Sequence, residues 1–413
     1  MRVKTIDATP YLRQAIIKGG LLLLLSLLSF VVNAQNYQVA AVGFYNFENL
    51  FDTVHSVDIL DTEKFIKKEL PYMETIPEAS VEEGEYIQWG PSELAKWLAD
   101  KNRKPEGKIL LEKRDHDFTS EGSLGNDSEV YNGKLKNLSK VVSQMGTAVT
   151  PDGLAILGIA EIEQRSCLED FVKQEALKGR NYQIVHHSSM DFRGIDVGLI
   201  YQPKYFKLEK QHVLQVDIVD PSGYRTFTRD ILWAEGLLNG EKIHVFVNHW
   251  PSRSGGEQVT VEKRKAAAQV CKNVIDSLRA DDPKVKVIVM GDLNDHPTDV
   301  SVTQVMKAVA KPEQMNKNTM YNPYILKYKK GSGTTAWRDT WGLFDQIMIS
   351  DGLLEDKKGG FQFYRADIFN KPYLIAKTGQ YRGYPYRSFI SGRFSGGYSD
   401  HLPVLIYLVK EIK

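Results

Sequence analysis

The sequence predicts an α/β fold of packed layers, and three observations carry that prediction. Runs of β-branched and long apolar residues read as buried strands. Segments with apolar residues every three or four positions read as helices, and they are mixed with the strands along most of the chain. Six of the strands stop abruptly at polar or ionisable side chains, as Val287-Ile288-Val289-Met290 does at Gly291-Asp292-Leu293-Asn294. An end of that kind delivers a carboxylate and a carboxamide to the carboxyl edge of a strand, where ligand sites on layered folds collect.

Taken in order, Val39 to Phe47 is predicted as the first strand, with Asn46 near its end. The apolar pattern then fades over about residues 53–132, where clusters such as Glu82-Glu83-Gly84-Glu85 surround short amphipathic pieces such as Glu93-Leu94-Ala95-Lys96-Trp97-Leu98. That stretch is too long for a structureless loop in a compact domain, so it is expected to be an inserted, partly helical surface element. It either flanks the site and sets specificity or is a passive decoration. From Gly133 the signals become regular. Leu135, Leu138, Val141, Val142 and Met145 make an apolar helix stripe that stops before the turn Thr150-Pro151-Asp152-Gly153. A strand over 154–161, a helix over 168–177 and a strand over 195–201 are predicted next, followed by a hairpin around Asp220-Pro221-Ser222-Gly223. The remaining elements are a strand over 243–249, a long helix over 262–278 and strands over 285–291, 344–349 and 402–409.

With 413 residues, 42% hydrophobic and 10% aromatic, the chain can build one large layered core and is not disordered by composition. Residues 1–34 carry Arg2, Lys4, Arg13 and Lys18 against Asp7, which leaves 49 basic and 51 acidic residues after them, a balance of −2. That near-neutral value excludes a protein built mainly to coat nucleic acid, since such affinity rests on many Lys/Arg contacts to phosphate. It leaves room for a nuclease, which needs only a local basic rim.

The first 34 residues read as a secretory signal peptide: a basic start, the apolar run Leu21 to Val32, and Ala34 before Gln35. The mature chain is therefore expected to span 35–413, exported to a periplasm or beyond the cell. The apolar run falls short of the ~18–20 residues that cross a bilayer, so no stable span is expected after processing. Cys167 and Cys271 sit among apolar residues in helix-like patterns and are expected as buried free thiols, although export would permit a bridge between them.

The six strand ends supply Asn46, Glu161, Asn248-His249, Asp292 with Asn294, Asp345 and Asp400-His401. Oxygen donors of this kind suit Mg²⁺, and imidazoles suit proton transfer or phosphate stabilisation. In this order the pattern resembles the endonuclease/exonuclease/phosphatase superfamily, the metal-dependent phosphodiesterases and phosphatases related to pancreatic-type deoxyribonuclease. Gly291-Asp292-Leu293-Asn294 and Ser399-Asp400-His401 are its specific motifs, and the likeness runs from about Tyr37 to Val409. It implies a four-layer α/β/β/α sandwich of two facing mixed sheets as a single domain.

A phosphodiester repels nucleophiles through its negative oxygens, so its hydrolysis needs a cation on those oxygens, an activated water and support for the leaving oxygen. Glu161 is the candidate principal Mg²⁺ ligand, with Mn²⁺ or Ca²⁺ as substitutes; the resemblance adds Asn46 beside it, and Asp400 is a further metal candidate. Asp345 and His401 are expected as a dyad in which the carboxylate fixes the imidazole tautomer. Asp292 and Asn294, two apart on an extended segment, are expected to face the phosphate together. His249 is a candidate donor on the opposite flank, and Arg193 and Arg253 are candidate phosphate contacts. No His-x-x-x-His or Cys partner supports a zinc site at His116 or His186-His187. The superfamily's abasic-site nucleases carry a Tyr before the strand end that His249 matches, and this chain has no clear counterpart.

The expected substrate is nucleic acid, DNA or RNA. The alternative is a lipid or sugar phosphate such as sphingomyelin or an inositol phosphate. Tyr72, Tyr86, Trp89 and Trp97 of the insertion, expected as exposed aromatics, suit either a membrane surface or stacked bases. A monomer is expected.

Overall fold

Apolar runs in this chain become strands buried on both faces, and the computed structural model describes them over residues 37–82, 84–113, 115–219, 225–354 and 359–412. The signal-peptide segment 1–34 and the hairpin tip at 220–223 lie outside the described residues. One compact unit spans Val39–Lys410. A second unit, Met1–Gln38 with Glu411–Lys413, is described only at residues 37, 38, 411 and 412.

Strand β1 (Tyr37–Leu50) leads into the insertion, made of β2 (Ser56–Asp61), α1 (Thr62–Lys67), β3 (Met73–Pro77), β4 (Ile87–Trp89), α2 (Pro91–Ala99) and β5 (Lys108–Glu112). The chain continues through α3 (Ser128–Gln144), β6 (Ile156–Ile162), α4 (Arg165–Val172), β7 (Gln183–His186), β8 (Asp196–Tyr201) and β9 (Phe206–Leu214). Next come β10 (Ile231–Leu238), β11 (Glu241–His249), α5 (Glu257–Asp281), β12 (Val287–Asp292), β13 (Ala308–Val309) and β14 (Met320–Tyr321). Toward the C-terminus lie α6 (Tyr324–Lys329), β15 (Asp345–Ile349), β16 (Gln362–Ile368) and β17 (Val404–Glu411).

These strands form two facing mixed sheets. The first has the order β16-β17-β1-β6-β8-β7, and the second β13-β14-β15-β12-β11-β10-β9. Their inner faces share one core that includes Val42, Phe44, Val197 and Val404 from the first sheet and Val245, Val247, Ile288, Met290 and Ile347 from the second. At Gly158 of β6 the facing sheet leaves no room for a side chain, since a Cβ there would strike Met290 Sδ. The outer face of the first sheet packs on α3 and α4 through Leu135, Leu138, Val142, Leu168 and Phe171. The outer face of the second packs on α5 through Ala268, Cys271 and Ile275 against Phe246, Val287 and Val289. The result is the α/β/β/α sandwich, and each large apolar side chain so buried contributes roughly 1.5–3 kcal/mol.

Helix α3 starts where Asp127 accepts from the amides of Glu129 and Val130, both at 2.9 Å, which satisfies two of the donors left free at a helix start. Cys167 and Cys271 are both free and buried.

The insertion is partly helical, with the amphipathic piece Glu93–Leu98 inside a helix, but it also holds a sheet that the sequence pattern did not predict. It is a four-stranded sheet of order β3-β2-β5-β4 carrying two helices, with its own core that includes Leu60, Phe65, Leu94, Trp97 and Leu111. Strands of three to six residues are too short to show a period against the surrounding charge. Tyr72 and Trp97 are buried in that core at 5% and 8% exposure, and Tyr86 and Trp89 are half-buried, so these rings are not a free aromatic surface. The insertion packs on the loop after β7: the Thr75 and Ser188 hydroxyls meet at 2.9 Å, Tyr72 stands edge-on to His187, and Lys113 fills the space over Gly194.

Candidate active site

Strand register sets the geometry of the site. His249 of β11 is the partner of Asp292 of β12, and Asp292 is the partner of Asp345 of β15. Partners across adjacent strands present side chains on one face. His249, Asp292 and Asp345 therefore continue the inward stripes Val245-Val247, Ile288-Met290 and Ile347-Ile349 as a single polar row. On the facing sheet Asn46 of β1 continues the stripe Val42-Phe44, opposite Ala160 of β6.

Glu161 reaches the same space through a bulge. The β6–β8 register shifts between Ala160 and Ile162, and Glu161 takes a left-handed φ of 62°. The extra residue reverses the alternation, so Ile162 packs outward under the helices and Glu161 stays with Ala160 on the inner side. Glu161 Oε2 accepts from the Asn49 amide at 3.0 Å. The Glu48-Asn49 backbone, left-handed at φ 49° and 58°, is held in turn by Lys134 of α3, whose buried ammonium donates to both carbonyls.

The ionisable groups converge closely. His401 Nδ1 lies 2.7 Å from Asp345 Oδ2, so the expected dyad is in contact. Its other nitrogen, Nε2, is 3.8 Å from Asp292 Oδ2. His249 Nε2 stands 3.7 Å from Glu161 Oε1 and 3.8 Å from Asp292 Oδ2. Asn46 Nδ2 donates to that same Asp292 oxygen at 3.1 Å. Glu161, His249 and Asp292 each bring a ligand atom within 4.8 Å of one another, and so do Asp292, Asp345 and His401.

Burial and neighbours pull these groups apart in acidity. Burial pushes the Asp292 carboxyl up to about 7, and the Asp345 charge adds to the rise while His401 opposes it. Burial alone would lower His401, but the carboxylates of Asp345 and Asp292 outweigh it and hold the imidazole well above its ordinary range. His249 goes the other way: burial first, then the guanidinium groups of Arg229 and Arg193, hold it well below. One imidazole is thus kept charged and the other neutral within a single site.

Asn294 takes a left-handed φ of 48°, and its Nδ2 donates to the Trp250 carbonyl at 3.0 Å. That backbone turn replaces the extended segment expected to aim Asp292 and Asn294 the same way; what joins them is the Asn294 amide donating to Asp292 Oδ1 at 2.9 Å. Asp400 pairs with Arg387 at 3.3 Å, and Arg387 also reaches Glu48 at 3.2 Å. Arg193 is half-exposed on the rim beside Asp191. Arg253 donates to the Asn294 carbonyl, Glu257, Asp295 and Asp299, so its guanidinium is spent on tying the 294–299 loop to α5.

Sequence reasoning missed Arg229, Lys134 and Arg387. Arg229 is buried and donates to the His249 and Trp250 carbonyls and to Asp191 Oδ2. Lys134 left a visible trace, a charge inside the apolar stripe Tyr131-Leu135-Leu138. A further group, His55, Asp115 and His116, gathers in the insertion, although the sequence offered no ligand spacing there.

Two facing sheets that bring carboxylates, a carboxamide and two imidazoles to one end of a layered sandwich define a class of phosphoester hydrolases. A family model described as the Endonuclease/Exonuclease/phosphatase family matches residues 108–410, and the chain belongs to that family. Its members are divalent-metal-dependent hydrolases of phosphoesters; this chain is a phosphoesterase of the family, and its acidic clusters could hold a metal ion. The match begins after Asn46. No curated protein matches the sequence.

Among solved structures, an endonuclease/exonuclease/phosphatase family protein from Bacteroides thetaiotaomicron is 13% identical with a TM-score of 0.46, over 92% of this chain and 98% of that one. D. rerio TDP2 complexed with single strand DNA product is 14% identical with a TM-score of 0.41, over 66% and 92%. A mannosyl-6-phosphatase from Bacteroides thetaiotaomicron is 15% identical with a TM-score of 0.42, over 68% and 93%.

Proposed function

We propose that the protein is an exported Mg²⁺-dependent phosphodiester hydrolase that acts on nucleic acid, DNA or RNA. The observation that carries this reading is the row His249, Asp292 and Asp345 facing Glu161 and Asn46 across the sandwich, with His401 bonded to Asp345. Glu161, partly exposed, and Asp292, buried, offer carboxylate oxygens to the polar space between the sheets, and Asn46 orients Asp292. A donor set of oxygens with few carboxylates fits Mg²⁺, with Mn²⁺ or Ca²⁺ as substitutes. Bound there, the ion would neutralise the charge on the phosphoryl oxygens.

The chain's own groups supply the rest. Asp345 accepts the Nδ1 proton of His401 and favours the charged imidazolium, so Nε2 is protonated as well and directs that proton toward the phosphoryl oxygen, stabilising its charge. Neutral His249 orients the departing or non-bridging oxygen from the other flank. Arg193 meets the phosphate at the rim, where a guanidinium can bind two oxygens at once. Asp400, held by Arg387, orients the loop that carries His401. Arg253 keeps the Asn294 turn in place rather than touching substrate.

Export rests on the order of basic, apolar and small residues in 1–34. Among the described residues no helix is long and apolar enough to cross a membrane. N-terminal sequencing of the exported protein is expected to read from Gln35.

A substrate panel tests the activity: plasmid DNA, RNA, sphingomyelin, inositol phosphates and bis(p-nitrophenyl) phosphate, each with Mg²⁺ and with EDTA. Cleavage of DNA or RNA that EDTA abolishes is the expected result. Hydrolysis confined to sphingomyelin or inositol phosphates would overturn the nucleic-acid reading.

A further inference from the structure

Beside the centre, on the His249 flank, a groove of about 320 Å³ opens between the loop at 191–193, the strand entry at 226–229, the loop at 251–254 and the first turns of α5. Ligand sites begin at roughly 300 Å³, which is room for one moiety of a larger substrate. Three properties of the lining define that moiety.

The groove is cationic. Arg193 and Lys263 face a single carboxylate, Asp191, whose oxygens already accept from Arg193 and Arg229. Lys263 lines the groove and takes part in none of the ion pairs among the described residues, so its ammonium is available to an anion. The groove also carries unspent hydroxyl capacity. Thr228 is 5% exposed, yet its Oγ1 has no hydrogen-bond partner among the described residues, and a buried hydroxyl is destabilising until something pairs with it. Ser252 lies on the same lining. Finally, the groove has an aromatic wall. Phe192 and Phe227 stand edge-to-face with centroids 4.8 Å apart, both partly exposed. The insertion fixes this wall from behind, because Phe192 and Phe227 pack against the cluster that contains Phe65 and Trp97.

We propose that this groove binds the nucleotide next to the scissile phosphate of a single-stranded nucleic acid. Its base lies on the Phe192–Phe227 wall, and its phosphate is held by Lys263 with the Thr228 and Ser252 hydroxyls. The proposal rests on the phosphodiesterase reading of the adjoining centre and deepens it. A lone cation would serve any anion, whereas a ring wall beside it selects a planar group attached to a phosphate, because a base stacks on an aromatic side chain. Arg229, bound to Asp191 and two carbonyls, builds the groove without being free to touch the ligand.

Two substrates separate the groove from the centre. Bis(p-nitrophenyl) phosphate has no second phosphate for Lys263 to hold, whereas a trithymidylate has one. Lys263→Ala and Phe227→Ala are each expected to lower kcat/KM for the trinucleotide at least ~10-fold, mainly through KM, while in Lys263→Ala kcat/KM for bis(p-nitrophenyl) phosphate stays within about twofold. Thr228→Val, which keeps shape and removes the hydroxyl, is expected to lose a smaller factor on the trinucleotide only.

Binding gives a readout independent of turnover. Fluorescence anisotropy of labelled trithymidylate in EDTA is expected to show a salt dependence whose slope falls by about 0.7 in Lys263→Ala, the value for one phosphate contact on a single strand. Equal losses on both substrates in Lys263→Ala, or unchanged trinucleotide binding in both variants, would overturn the groove assignment. So would tighter binding of an inositol polyphosphate than of trithymidylate, because it would show an anion site without base recognition. If wild type fails on bis(p-nitrophenyl) phosphate yet binds trithymidylate through Lys263, the groove stands and the phosphodiesterase reading falls.

Discussion

Asn46 Nδ2 donates to Asp292 Oδ2 across 3.1 Å, and this hydrogen bond joins the two sheets at the centre of the site. Asn46 is also the node for two loops: its Oδ1 accepts from the Glu48 amide, and its carbonyl accepts from Ser399, whose oxygen in turn receives the His401 amide. Asn46→Ala is therefore expected to cut kcat/KM about 10–100-fold, the usual cost of losing a partner that orients a metal-binding carboxylate. Steady-state kinetics beside a thermal melt check this. An unchanged kcat/KM in a folded variant would mean that Asp292 needs no such support.

Glu161 and Glu163, two residues apart, face different surroundings. Glu161 lies beside His249 at the centre, while Glu163 is buried beside the Asp52 amide on the insertion side. Glu161→Gln removes a charge without changing volume and is expected to abolish most metal-dependent turnover with the fold intact. Glu163→Gln is expected to retain turnover within about threefold, far from the 10²-fold scale of a lost catalytic group. Isothermal titration of Mg²⁺ should follow the same order, and comparable losses in the two variants would remove Glu161 from the metal assignment.

The strands legible in the sequence are those the fold buries on both faces. β1, β6, β11, β12 and β15 are continuous apolar runs because each sits inside a sheet between layers. β9, β7 and β16 are the outer or edge strands, and the run Lys207-Leu208-Glu209-Lys210-Gln211 in β9 carries exposed charges that hide its extended form. Strand ends were legible for the same reason, since a polar side chain closing an apolar stripe stands out. What the sequence could not display was the bulge that turns Glu161 inward, because Ala160-Glu161-Ile162 alternates like any strand. Nor could it separate Arg193 from Arg253, two guanidiniums in similar loops, of which only the second is consumed by carboxylates brought in from 257–299.

Asp230 links stability to pH away from the centre. Burial pushes its carboxyl up to about 8, with Asp196 adding to the rise and the Tyr72 hydroxyl opposing it. In the unfolded chain the group titrates near 3.9. The folded form thus keeps a proton that the unfolded form has lost, so this contribution to stability is complete below about pH 3.9 and is lost as pH rises through 8. The slope is at most ~1.4 kcal/mol per pH unit. Asp230→Asn, which mimics the protonated group, is expected to shrink the fall in Tm between pH 5.5 and 8.5. Melts at both pH values decide it, and parallel falls in wild type and variant would show that Asp230 is ionised in the native state.

The 2.7 Å contact between His401 Nδ1 and Asp345 Oδ2 makes these residues one unit, and units lose activity non-additively. His401→Ala is expected to cost ~10²–10⁴-fold in turnover, the range of a general acid–base group. Adding Asp345→Asn to that variant should cost little more, because an orienting carboxylate has nothing left to orient. His249 behaves differently: it stands on the other flank, held neutral by burial and by Arg229 and Arg193, and makes its own approach to Glu161. His249→Ala combined with His401→Ala should therefore lose further activity, with the two factors multiplying. If instead the Asp345 and His401 losses multiply while the two histidine losses do not, then His249 and His401 form the working pair and Asp345 acts through Asp292.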